Sequence, residues 1–143
     1  MKIIDLAPGD TRLLSDLLPV LRELRPHLTE DLFREIYDEG HGLGLRFTAA
    51  YDDDGRCVGA AGWRIVVNTS TVRSLYVDDL VTASDARSTG VGRHLLTYLQ
   101  EHARETGCHL FTLDSATHRT DAHRFYLRER MAIAAFHFQK ELG

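Results

Sequence analysis

The stretch DARSTGVGRHLL, residues 85–96, has residue types that suit either a plain turn or an anion site. Gly90 and Gly92 stand two apart at the head of a helical pattern, where glycine costs stability unless something must approach the main chain. The first N–H groups of a helix have no backbone partner, and the helix dipole favours negative charge beside them. Arg87 and Arg93 flank the turn with full charges suited to phosphate, and the N–H groups of Ser88, Thr89, Gly90, Val91, Gly92 and Arg93 would form the cradle. A plain tight turn would use the same residues. No Gly-Lys-Ser/Thr follows, so this is not a Walker loop. A dinucleotide fingerprint would want a third glycine where Leu95 stands. The pattern fits a different nucleotide-bearing cofactor.

Other residues could carry chemistry. Asp78 and Asp79 are adjacent, so a regular strand points them to opposite faces, and at most one serves a site unless a bulge intervenes. Either also reads as a hydrogen-bonding group at a strand edge. Tyr126 lies in a helical stretch, and its spacing alone favours a half-buried core tyrosine. Eight histidines invite a metal. His118 and His123 lie five apart with Asp114 four before His118, which matches no standard zinc spacing, so no metal is assigned. His123 and His137 suit lining of an acceptor site or proton transfer near neutral pH, or plain surface roles. Arg119, Arg124 and Arg130 could meet an anionic end of a substrate, or solvent.

The elements that must hold these residues follow from periodicity. Residues 2–6 form a short strand. Asp10 or Thr11 opens a helix to about Arg25, which Pro19 should kink or break. Thr29 caps a second helix with Gly40 as its stop, and residues 41–44 connect it onward. Three strands follow over 45–51, 56–67 and 72–83, joined by short turns into an antiparallel meander. The helix from about Gly90 to Thr106 carries Val91, Leu95, Leu99 and Ala103 on one face. A strand over 109–115 completes a β–α–β crossover and hence a parallel pairing. A helix from Asp121 and a final strand marked by Phe136 and Phe138 end the chain. The fold class is α/β or α+β: a central mixed, mostly antiparallel sheet flanked by helices.

The 143 residues, 43% hydrophobic and 27% charged, fit one domain spanning 1–143. A net charge of −4 argues against a general nucleic-acid binder. No stretch approaches the roughly 18 apolar residues that span a membrane. Cys57 and Cys108 match no metal or redox spacing and read as free thiols, and the N-terminal MKIIDLAPGD lacks a signal peptide's apolar run, so a cytoplasmic location is expected.

Arg87-Ser88-Thr89-Gly90-Val91-Gly92 resembles the Arg/Gln-x-x-Gly-x-Gly/Ala signature of the GNAT N-acetyltransferases. Leu80-Val81-Thr82 stands where that family has Leu-x-Val, and Ala122 with Phe125-Tyr126 is similar to its Ala-x-x-(apolar)-Tyr helix. The element order matches the GNAT fold over nearly the full chain. The segment over 121–129, with Phe136-His137-Phe138, resembles the aminoalkylphosphonate N-acetyltransferases. Ser88, Arg119 and Arg130-Met131 depart from the family's glycine, asparagine and Gly-Phe.

The resemblance implies acetyl-coenzyme A as cofactor, its pyrophosphate on residues 87–93 and its pantetheine along Leu80, Val81 and Thr82. It places the Tyr126 hydroxyl near the coenzyme sulfur as proton donor and makes Asp79 the favoured base, acting through water or attracting a cationic amine. Asp78, His123 and His137 remain substrate-side candidates. The expected activity is direct transfer of an acetyl group to the amine of a small molecule, an aminoalkylphosphonate or amino-acid-like compound. Protein or peptide acetylation, or a non-catalytic acyl-coenzyme A sensor, are the alternatives. The family allows a homodimer.

Overall fold

Small residues in the middle of the sheet set how close the helices come. The computed structural model describes residues 1–143. It divides into two compact units, Met1–Thr112 and Leu113–Gly143. The first unit holds β1 (Lys2–Leu6), β2 (Arg46–Tyr51), β3 (Cys57–Asn68) and β4 (Val72–Thr82), antiparallel in that order, with β5 (Leu110–Leu113) added beside β4 at the boundary. The His109 N–H donates to the Arg73 carbonyl at 2.8 Å, so β5 enters at the same end as β4. The intervening helix α3 (Val91–Glu105) supplies the crossover that a parallel pair needs, and the sheet is therefore mixed.

The alternation of β3 separates two packed faces. Gly59, Ala61 and Trp63 share the face toward α3: a Cβ on Gly59 would meet Val91 Cγ1 at 2.7 Å and Leu95 Cδ1 at 2.9 Å. On this face Val91, Leu95, Leu99 and Ala103 are buried as the helical spacing predicts, and the Trp63 and His102 rings meet edge to face at 4.9 Å. The Trp63 indole donates to Thr48 Oγ1 (2.9 Å), Thr48 to Asp5 (2.7 Å), and Tyr98 of α3 to the other Asp5 oxygen (3.0 Å), so the polar atoms under the helix are paired. The opposite face carries Phe47, whose ring lies 5.1 Å from Phe33 and 4.8 Å from Tyr37 of helix α2 (Glu30–Gly42). Burial of each such ring contributes about 1.5–3 kcal/mol.

The first two helices carry the expected signals with different outcomes. Pro19 marks an interruption of the first, as its residue type predicts, without ending it. A π turn over Leu13–Leu17, closed by the Leu18 N–H onto the Leu13 carbonyl five residues back, runs directly into α1 (Leu18–Leu24). The wider turn accommodates a ring that would clash with the carbonyl four residues before it. Thr29 caps α2 as expected, its Oγ1 accepting from the Leu32 N–H at 3.1 Å. Gly40 does not stop α2, which continues through Gly42. The reversal falls at Gly44, whose φ is +101°, and Gly40 instead clears Leu45, whose Cδ2 a Cβ would meet at 2.8 Å.

In the second unit, α4 (Thr120–Arg128) starts as read, with Asp121 paired to Arg124 at 2.8 Å. The expected final strand is absent: the segment over 131–143 has no regular secondary structure, and Phe136 and Phe138 are 85% and 92% exposed. Alternation gives a strand its faces, but without a partner ladder it does not make one. No helix of the chain is long and apolar enough to cross a membrane.

Candidate active site

The start of α3 is arranged unlike the start of α2. α2 has a threonine cap and two acids, Glu30 and Asp31, in its first turn, the usual complement to the dipole. α3 has no side-chain cap and no acid in its first turn, and Arg93 stands there instead. Its cap is Gly90, left-handed at φ +90°, ψ 7°. Such an end leaves its first amides, those of Val91 and Gly92, without a capping side chain or an acid of the helix's own first turn. Ser88 is also left-handed, at φ +65°, a conformation that glycine adopts without strain. This is the position where the GNAT signature has its glycine.

Three contacts brace the loop before this helix. The Glu23 carboxylate of α1 accepts the Ser84 N–H at 3.0 Å, Thr89 Oγ1 donates to the Ala86 carbonyl at 2.5 Å, and Arg56 pairs with Asp85. The His94 ring sits on the Gly90 carbonyl through Nδ1 at 2.7 Å. A carbonyl only accepts, so that nitrogen carries the hydrogen.

The second feature lies on β4. Gly62 pairs with Asp79 and Trp63 with Val77, so Asp78 is one residue too many and forms a bulge. This is the exception to the regular alternation that would point Asp78 and Asp79 apart. Both carboxylates lie on the face of Gly62 and Arg64. Asp78 is held by Arg64 in a two-point bond, 3.0 Å from Nε and 2.9 Å from Nη2. Asp79 is deeper, its side chain 15% exposed, and accepts from Arg25 Nε at 2.7 Å. Burial pushes the Asp79 carboxyl above the usual carboxylate range, and the Arg25 hydrogen bond and charge pull against that. Gly62 makes the room, since a Cβ there would stand 2.9 Å from Asp79 Oδ2 and 2.9 Å from Phe47 Cε1.

Past the bulge, Leu80, Val81 and Thr82 pair with Ala61, Ala60 and Gly59 of β3. On the other edge β5 has four residues against eleven in β4 and begins level with Arg73, so it reaches only the first half of β4. The main-chain groups of residues 78–82 on that edge lie beyond the β5 ladder.

The second unit carries the remaining candidates. Tyr126 lies on α4 with its ring 5.3 Å from Phe125. Burial raises its hydroxyl above the ordinary tyrosine value, against the pull of the Arg119 charge, so it keeps its proton at neutral pH. His123 places Nε2 2.8 Å from the Ala116 carbonyl. His137 places Nδ1 3.0 Å from Asp114, which leaves Nε2 as its outer nitrogen.

Residues 11–131 match the sequence profile of the Acetyltransferase (GNAT) family. This chain belongs to the GNAT family. It is 40% identical over 67 residues to an uncharacterized N-acetyltransferase, YhdJ, of Bacillus subtilis, a match covering 46% of this chain and 47% of that protein. It is 39% identical over 66 residues to an aminoalkylphosphonate N-acetyltransferase of Salmonella typhimurium, covering 46% and 43%. The match thus spans under half the length of either relative. Among solved structures, an acetyltransferase of Trypanosoma brucei has the same fold, with TM-score 0.76, 23% identity and 99% of each chain covered.

Sequence reasoning found the GNAT glycine turn and the aspartate pair. It missed Arg25 and Glu23, two residues apart at the end of α1, and Arg64 on β3. Arg25 is 54 positions from Asp79, and nothing in the local pattern marks it. Gly62, inside a run of small residues, was the one visible signal that a side chain must be admitted to the sheet face there.

Proposed function

We propose that this GNAT protein transfers the acetyl group of acetyl-coenzyme A to the amine of a small acceptor, an aminoalkylphosphonate or amino-acid-like compound, directly within a ternary complex. The observation that carries the reading is the α3 start: a left-handed Gly90 cap, no acid in the first turn, and Arg93 within it. The donor set is amides and guanidinium groups, which suits a pyrophosphate. Residues 87–93 would hold that group, with Arg87 adding charge. Leu80, Val81 and Thr82 would offer main-chain groups to the pantetheine arm, as an added strand does. The bound coenzyme supplies an activated thioester.

In the proposed reaction the amine nitrogen bonds to the acetyl carbon and the carbon–sulfur bond breaks. Asp79 receives the amine proton through water, or holds the ammonium beside the point of transfer. Tyr126 gives its proton to the departing sulfur, whose thiol has a reference pKa of about 8.5. Asp78, His123 and His137 would contact the acceptor. Direct transfer agrees with the state of Cys57, whose thiol is pushed by burial up to about 11 and makes a poor nucleophile.

The test is coenzyme release over aminoalkylphosphonates, amino acids, polyamines and peptides, paired with melting in acetyl-coenzyme A. A hundredfold excess over Kd should add about 2.7 kcal/mol of stability. An unshifted melting curve would remove the donor assignment. A shifted curve with no release from any amine would favour a sensor module.

Asp79→Asn tests the base. The acid limb of kcat/KM should flatten in this variant, and an unaltered profile would leave Asp79 structural. Stability carries an independent sign. Because the native carboxyl binds its proton more tightly than the unfolded one, Asp79 makes stability fall as pH rises from the ordinary carboxylate range through the native value. Urea unfolding of Asp79→Asn should show a smaller fall over that window.

A further inference from the structure

The end of α1 reaches into the aspartate pair in a way that the acetyl-transfer reading leaves unused. Arg25 spends its guanidinium on two atoms of β4 at once. Nε donates to Asp79 Oδ1 at 2.7 Å and Nη2 to the Asp78 main-chain carbonyl at 3.1 Å. A lysine has no second, rigidly placed nitrogen for the carbonyl. The carbonyl belongs to the bulge residue, so one side chain grips both the carboxylate and the irregularity that turns it to this face. Asp78 does not compete for Arg25, because Arg64 occupies its two oxygens.

The surroundings of Asp79 leave Arg25 as the cation in direct contact. Asp78 on its own strand and Arg64 on β3 act on it through space with opposite signs. Gly62 lies opposite it on β3, where a Cβ would stand 2.9 Å from Asp79 Oδ2. Burial of a carboxylate only 15% exposed favours its protonated form, and the Arg25 hydrogen bond and charge oppose that. Arg25 itself is 45% exposed and caps α1 through its backbone N–H, which donates to the Leu21 carbonyl at 2.9 Å. Its side chain can therefore be changed without removing the helix end.

We propose that Arg25 is a positioning residue for Asp79: from the far end of α1 it fixes the direction of the carboxylate and favours its charged form. This rests on Asp79 as the base only for its effect on rate, not for its effect on the carboxylate.

The experiment follows the Asp79 carboxyl carbon by NMR across pH in the unliganded full chain, with Asp79→Asn to assign the signal. It compares wild type with Arg25→Gln and Arg25→Lys, and measures kcat/KM against pH in parallel. Arg25→Gln should tighten proton binding at Asp79 roughly tenfold, the order expected for loss of an adjacent cation. Arg25→Lys, which keeps charge without the fork, should fall between the two. The acid limb of kcat/KM should move upward by the same interval. A Gln variant with a native amide spectrum and an unmoved Asp79 midpoint overturns the proposal. If the Gln variant does not fold, an unmoved midpoint in the Lys variant overturns it and a raised one supports it. A moved midpoint with a stationary rate profile upholds Arg25 and instead overturns Asp79 as base.

Discussion

Tyr126→Phe should lower kcat about a hundredfold while leaving coenzyme affinity within a factor of two. The hydroxyl is the only group removed, and the ring keeps its packing against Phe125. Positioned proton transfer contributes roughly 10²–10⁴-fold in enzymes. The lower end is expected here, because a thiolate leaves tolerably without a proton. The same reasoning sets a second readout. An acyl donor with a more acidic thiol needs the proton less, so the gap between wild type and variant should narrow with it. Steady-state rates with two such donors check both parts. Equal kcat in variant and wild type would return Tyr126 to the half-buried core tyrosine that its spacing alone suggests.

Gly90→Val should weaken coenzyme binding roughly ten- to a hundredfold. A β-branched residue at φ +90° is outside the conformations open to it, and left-handed backbone costs an L-residue about 1–2 kcal/mol. To relieve that strain the cap must rotate, which turns the Val91 and Gly92 amides away from their common target. A hydrogen bond to a charged partner contributes about 1.5–3 kcal/mol, hence the range. Gly90→Ala separates geometry from crowding. Its Cβ would meet the His94 ring at 3.7 Å, an ordinary contact, so any loss in the alanine variant comes from φ. Calorimetric titration with coenzyme A and urea unfolding give the two quantities. Lost stability with unchanged affinity would make Gly90 a helix start and nothing more.

The features legible in the sequence were those written in one local stretch. The Gly90 turn declares itself because a left-handed cap needs glycine, and the Thr29 cap because a hydroxyl before an acidic first turn has one obvious use. The meander was readable from its turns, and α3 from its apolar stripe. What escaped was set by distant parts of the chain. The bulge at Asp78 carries no residue signature, since it exists only in the pairing of β4 with β3. Arg25 acquires a role only when α1 lies on the sheet. The misreadings have the same root. Gly40 reads as a helix stop, whereas in the fold it clears the Leu45 side chain and the helix runs on to Gly42. Phe136 and Phe138 show strand alternation with no edge to complete it.

The extra residue in β4 also bears on how this GNAT chain can change over time. Side chains along the strand are read in alternation, and Asp78 shifts that reading by one step between Val77 and Asp79. Loss of Asp78 alone would leave Val77 opposite Trp63 and Asp79 opposite Gly62, a regular ladder in which Asp79 keeps its face. What would vanish is the bulge carbonyl that Arg25 grips and the carboxylate that Arg64 holds. The extra residue is therefore a spare link: the sheet closes without it, and only the arginines that fasten it would register its removal.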